Sequence, residues 1–215
     1  MPGGAAVGGW LGAQDGESVK FEIGDDTDKA LVQTLVHEMM LCKEAWNAFL
    51  DSSVLTSQDR ESKIVRVKTY NAYSTFLHHI YEFYVGCIKR DRRNTENLGW
   101  EELDAVFDFE AEKQLRNRRI LVENGVIDDK KNLHIYTRPL QPGFGLNFRN
   151  IRNHTAHASI KRVTPAPGHD LNSFFKNYHF VILLLFFNAK FSWNLRDPED
   201  YNWGPLEEFD FGHDA

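Results

Sequence analysis

Between Lys29 and Leu50 apolar side chains recur at Leu31, Val32, Leu35, Val36, Met39, Met40, Leu41, Trp46, Phe49 and Leu50, and no Gly or Pro interrupts them. That spacing follows the helical repeat, not the alternation of a strand. Thr27 or Asp28 suits the cap before it. A second long run, about Asp59–Lys89, brings Ile64, Val67, Tyr70, Tyr73, Phe76, Leu77, Ile80, Tyr81, Tyr84 and Ile88 to one side. The connection SSVLTSQD is short, so the two helices should lie antiparallel. A third helix is expected after Asn97–Gly99, with Gly125 as its stop. Residues 126–145, with Pro139, Pro142, Gly143 and Gly145, read as loop with a short extended piece at LHIYT. A fourth helix should cover about Asn147–Ile160. After the PAPGHD turn a final one, about Leu171–Asn194, is apolar nearly all round and should form the buried centre. The expected fold is all-α: an antiparallel bundle of about five helices over residues 28–195. A Gly-rich lead (1–27) precedes it and an acidic aromatic tail (196–215) follows.

At 215 residues one domain with a sizeable core is expected. Cys42 and Cys87 fall in helical runs and read as small buried hydrophobes, not as a disulfide framework. The N-terminus lacks the basic and apolar regions of a signal peptide. The apolar run Phe180–Phe187 is too short to span a bilayer. No membrane association and a cytoplasmic setting are therefore expected.

Residues 149–157, RNIRNHTAH, hold two overlapping copies of Arg-Asn followed by three residues and His. One is Arg149-Asn150 with His154; the other is Arg152-Asn153 with His157. Arg supplies a fixed charge and a planar fork of donors that suits phosphate. His exchanges protons near neutral pH, and Asn can orient either partner. Together they can cleave RNA without a metal or cofactor. His154 and His157 also form an H-x-x-H pair, but no Glu accompanies them to complete a zinc site, so no metal is expected.

The charge pattern points the same way. The chain is net acidic, formally −6, yet Lys130 to His169 contains no Asp or Glu. Arg138, Lys161 and Arg162 in that stretch are candidate RNA contacts, because a local patch of one sign attracts a polyanion. Residues 197–215 hold seven acids and no Lys or Arg, and could cover the basic stretch or pack on the bundle. His78 and His79 read as boundary residues of the second helix. The run LRNRR at 115–119 reads as a solvated face, and Trp10, Trp100, Trp193 and Trp203 read as packing or docking residues.

A helical bundle of this size, with Arg-Asn-x-x-x-His on a late helix, resembles the HEPN domain superfamily. IRNHTAHA fits its motif best in the second frame, which assigns the motif Arg to Arg152, the polar residue to Asn153 and the His to His157. Arg149, Asn150 and His154 are the alternative or supporting frame. The resemblance implies a metal-independent endoribonuclease that forms a 2′,3′-cyclic phosphate. It also implies a homodimer with a composite site, and a toxin–antitoxin or phage-defence setting with an antitoxin or defence partner protein. A non-catalytic RNA-binding or dimerisation module is the alternative. Many relatives carry a modified Tyr two residues after the His; here Ser159 stands there. An acidic helper on an earlier helix is also common, with Glu38, Glu44 and Glu82 as candidates.

Overall fold

The computed structural model describes residues 18–58, 62–192, 200 and 203–207. These residues are helical, with no named strand among them. The helices are α1 (Asp26–Gln58), α2 (Lys63–Asp91), α3 (Trp100–Glu123), the single turn α4 (Leu133–Tyr136), α5 (Phe144–Ala156) and α6 (Leu171–Ser192). α1 and α2 run antiparallel, since Asp28 meets Arg90, Glu38 meets His79 and Ser52 meets Thr69. Among the described residues no helix is long and apolar enough to cross a membrane.

Several boundaries differ from expectation, each for a local reason. α1 continues through SSVLTSQ to Gln58, with the Ser52 and Ser53 hydroxyls turned back onto the carbonyls of Phe49 and Leu50 instead of breaking the helix. α2 starts at Lys63, where the Ser62 side chain caps the Val65 N–H. LHIYT is a helical turn, not an extended piece: Tyr136 bonds Asp129 and packs on Phe180. Residues 18–25 of the lead pair with the α2–α3 connection through Phe21 N–H to the Arg93 carbonyl and Thr95 N–H to the Val19 carbonyl. Cys42 is buried, Cys87 is half-buried, and both are free.

The core is aromatic. Tyr81 of α2, Phe107 of α3 and Phe148 of α5 form a triangle with ring centroids 4.7 to 5.3 Å apart. Phe107 and Phe148 are at most 1% exposed. Truncating one such ring costs about 3–5 kcal/mol. This triangle fixes α5 against α2 and α3. α6 is not enclosed all round as expected: Ile182, Leu185 and Phe186 are buried, whereas Phe187 is 50% exposed.

The half-buried imidazole of His179 titrates well below its ordinary range. His179 of α6 stacks on Phe175 at 4.2 Å and shares a hydrogen bond with the Tyr73 hydroxyl. Burial pushes its imidazole down to about 4. The unfolded chain takes up that proton at about 6.5, so the folded state binds fewer protons between the two values. Stability is therefore full above pH 6.5 and falls toward pH 4, by up to about 3 kcal/mol. Melting temperatures across that window should decline in the native protein and decline less in His179→Gln.

Candidate functional site

α5 carries the motif, and three contacts place it. Its first turn comes so close to α3 that a Cβ on Gly145 would lie 2.1 Å from the Asp104 carbonyl oxygen. Asp108 accepts the Gly145 N–H at 2.7 Å, capping a helix start that Gly143, at φ 75°, leaves without a side-chain cap. One turn on, Asp104 takes two hydrogen bonds from Arg149, both 2.8 Å. Asp104 and Asp108, four residues apart on α3, thus clamp α5, and the helix begins at Phe144 instead of Asn147.

The helix also ends sooner than expected, at Ala156. His157 is its C-cap in extended conformation, so it does not share a helical face with Asn153. The Arg162 guanidinium explains the stop. It donates to the carbonyls of His154, Thr155 and His157, at 3.4, 2.7 and 2.6 Å. These are carbonyls a helix terminus leaves unmet, and a cation is favoured there. Arg162, expected as an RNA contact, is a helix-terminating residue. Lys161 and Arg138 are exposed and make no ion pair among the described residues.

The two motif frames part company in space. Arg149 faces α3, pinned by Asp104, with its guanidinium 5.2 Å from the Trp100 ring centroid. Asn150 is half-buried. The Nδ1 of His154 is buried without a partner, and burial, then Lys161 and His169, hold its imidazole below the ordinary range. Arg152 faces α2. One terminal nitrogen bonds Glu82, the other bonds Asn153 Oδ1 at 2.9 Å, and Tyr81 lies beneath at 5.7 Å. Its Nε is buried. By count, one N–H on each terminal nitrogen remains for a further acceptor.

Arg152 borders two clefts. The smaller, about 390 Å³, is lined by Ser74, Thr75 and His78 of α2 and by Arg152, Thr155, Ala156 and His157. The larger, about 520 Å³, lies between α2, the α2–α3 connection and the start of α3, and takes in Trp100, Arg152 and Asn153. Arg152 and His157 therefore meet in one cleft, while Asn153 holds Arg152 and not the His157 ring. Of the acidic candidates, Glu82 reaches the site and Glu38 bonds His79 at 2.8 Å.

In the sequence His78 reads only as a boundary residue and Trp100 only as a packing or docking one, yet each lines a cleft that Arg152 borders. His78 lines the smaller cleft, and its Nδ1 is buried without a hydrogen bond. Burial pushes its imidazole below the ordinary value; Arg152 and His79 add to this, Glu82 and Glu38 oppose it. A lowered value favours its neutral form. Trp100 is 64% exposed and is not a packing residue. The acid-free stretch of sequence is not acid-free in space, since α2 and α3 supply Glu82 and Asp104 to its arginines.

The acidic tail lies mostly outside the described residues. Trp203 packs edge-on against His37 of α1, 6.0 Å between centroids. Among the described residues no three His, Cys, Asp or Glu side chains form a metal-holding group. No family model matches the chain, and no curated protein or solved structure matches it.

Proposed function

We infer that the protein is a metal-independent endoribonuclease of the HEPN type, acting at the cleft shared by Arg152, His157 and His78. The observation that carries this reading is that a phosphate-suited arginine and two histidines line one cleft. Neutral His78 takes the proton from a ribose 2′-OH as that oxygen attacks the adjacent phosphorus. The bond from phosphorus to the 5′-oxygen breaks, and the imidazolium of His157 protonates the leaving oxygen. Arg152 stabilises the charge developing on the phosphoryl oxygens, held in place by Glu82 and Asn153. The products are a 2′,3′-cyclic phosphate and a 5′-hydroxyl.

Ile160 and Val163, each 80% exposed, stand just after His157. A second copy covering them would bring two sets of Arg152 and His157 around one phosphate, the composite arrangement the family resemblance implies. Restraint of such an enzyme by an antitoxin or defence partner belongs to the same reading.

The test is cleavage of RNA by purified protein, with mixed variants as the arm for the dimer. Inactive Arg152→Ala and inactive His157→Ala chains should recover activity when mixed if one site draws on both copies. No recovery, with a strictly monomeric active protein by light scattering, removes the dimer. RNA bound but never cut would favour the non-catalytic module.

A further inference from the structure

We propose that the larger cleft is a nucleobase subsite, which takes the unpaired base next to the scissile phosphate by stacking it on Trp100. The proposal rests on the cleavage reading and names its substrate class: single-stranded RNA.

Three observations carry it. The cleft shares Arg152 with the smaller one, so a phosphate at Arg152 places the neighbouring base within reach of the larger cleft. Its volume, about 520 Å³, lies in the range of small-molecule sites. Val85, Ile88, Leu98 and Leu103 give it apolar surface for a base, beside the charged Glu82, Lys89 and Glu96.

The Trp100 indole is also prepared for stacking. Large aromatic surface left in water is unfavourable, yet this ring is 64% exposed at the mouth of the cleft. Arg149 lies over one face, and Asp104 fixes Arg149 with two bonds. The ring is therefore held by a cation on one side, with the other side left for a base. Stacking on an aromatic and cation–π support from Arg are how single strands are bound with little sequence preference.

Asn153 supplies the polar edge. Its Oδ1 is taken by Arg152, so its amide N–H groups point the residue's remaining hydrogen-bonding capacity at a base carbonyl or ring nitrogen. A base within a duplex is stacked on its neighbours and cannot enter. The clefts together thus select loops, bulges and ends.

The test uses the full chain and a fluorescent single-stranded oligonucleotide of 2′-O-methyl RNA, which lacks the nucleophile and is not cut. Anisotropy should show Trp100→Ala binding about tenfold more weakly, with Trp100→Phe restoring most of the affinity. Replacing the bases by abasic units should weaken binding to wild type, and the Trp100→Ala defect should then vanish. A fully paired duplex should bind poorly. Equal affinity of Trp100→Ala and wild type for the intact strand, in a protein that cuts RNA, overturns the subsite and leaves the cleavage reading standing. So does undiminished binding of the abasic strand. Failure of wild type to bind or cut any RNA overturns both. Because the ring is exposed and Arg149 keeps Asp104, Trp100→Ala should melt near wild type, which separates lost stacking from lost folding.

Discussion

His157→Ala and Arg152→Ala should each lower RNA cleavage by about two or more orders of magnitude, the scale on which loss of a proton donor or a charge-stabilising group is felt. His78→Ala should fall in the same class and should also change the pH dependence. Native kcat/KM should drop as pH falls through the lowered value of His78, because the base must be neutral to accept a proton. Removing that imidazole should flatten the acid limb, and added imidazole should restore part of the rate. Arg149→Ala and His154→Ala serve as contrasts. Arg149 is pinned to Asp104 away from the smaller cleft and supports Trp100 in the larger one, so its loss should lower the melting temperature and weaken RNA binding while sparing the chemical step; breaking such a pair costs about 3–5 kcal/mol when fully buried and less here. If His154→Ala abolished cleavage while His157→Ala stayed near wild type, the first frame would be the catalytic one.

Gly145→Ala should be the most damaging single methyl in the domain. The added Cβ would sit 2.1 Å from a backbone oxygen of α3, and backbone on both sides leaves no flexible atom to yield. α5 must move away from α3, which loosens the Asp108 cap and the Asp104–Arg149 pair together. We expect a loss of several kcal/mol, on the scale of overpacking combined with a lost cap, about 1–3 and 0.5–2 kcal/mol respectively. Cleavage should fall with it, since Arg152 rides on the same helix. Thermal unfolding alongside cleavage at low temperature checks this: a stable Gly145→Ala protein with a native melting point would show that α3 does not set the position of α5. Gly86→Ala makes a useful comparison, because its Cβ would meet the end of the Leu35 side chain at 2.5 Å, and a side chain can turn aside.

Much of this arrangement was legible in the chain. The long periodic runs marked α1, α2, α3 and α6, because an apolar stripe over many residues outweighs local preferences. The second motif frame was legible only as a neighbourhood: Arg152 and Asn153 stand on α5, but His157 caps its end and does not share a helical face with Asn153. What escaped was set by residues distant in sequence. The start of α5 depends on Asp108, some 37 residues away, and its end depends on Arg162 folding back over three carbonyls. The charges that satisfy Arg149 and Arg152 come from α3 and α2, so an acid-free stretch of sequence looked more basic than it is. His78 looked like a boundary residue because nothing in its helix signals that α5 will end opposite it. Trp100 looked like packing because aromatic residues usually pack, and only the fold shows this ring half out of the core beside Arg149.

Metal-independent cleavage is tested by incubating the purified protein with a single-stranded RNA in excess EDTA and identifying the new ends. Cutting should persist in EDTA and leave a 2′,3′-cyclic phosphate and a 5′-hydroxyl. One 2′-deoxy substitution at the cut position should abolish that cut while leaving others. Cleavage that stops in EDTA, ends that carry a 5′-phosphate, or undiminished cutting at the 2′-deoxy position would contradict this mechanism.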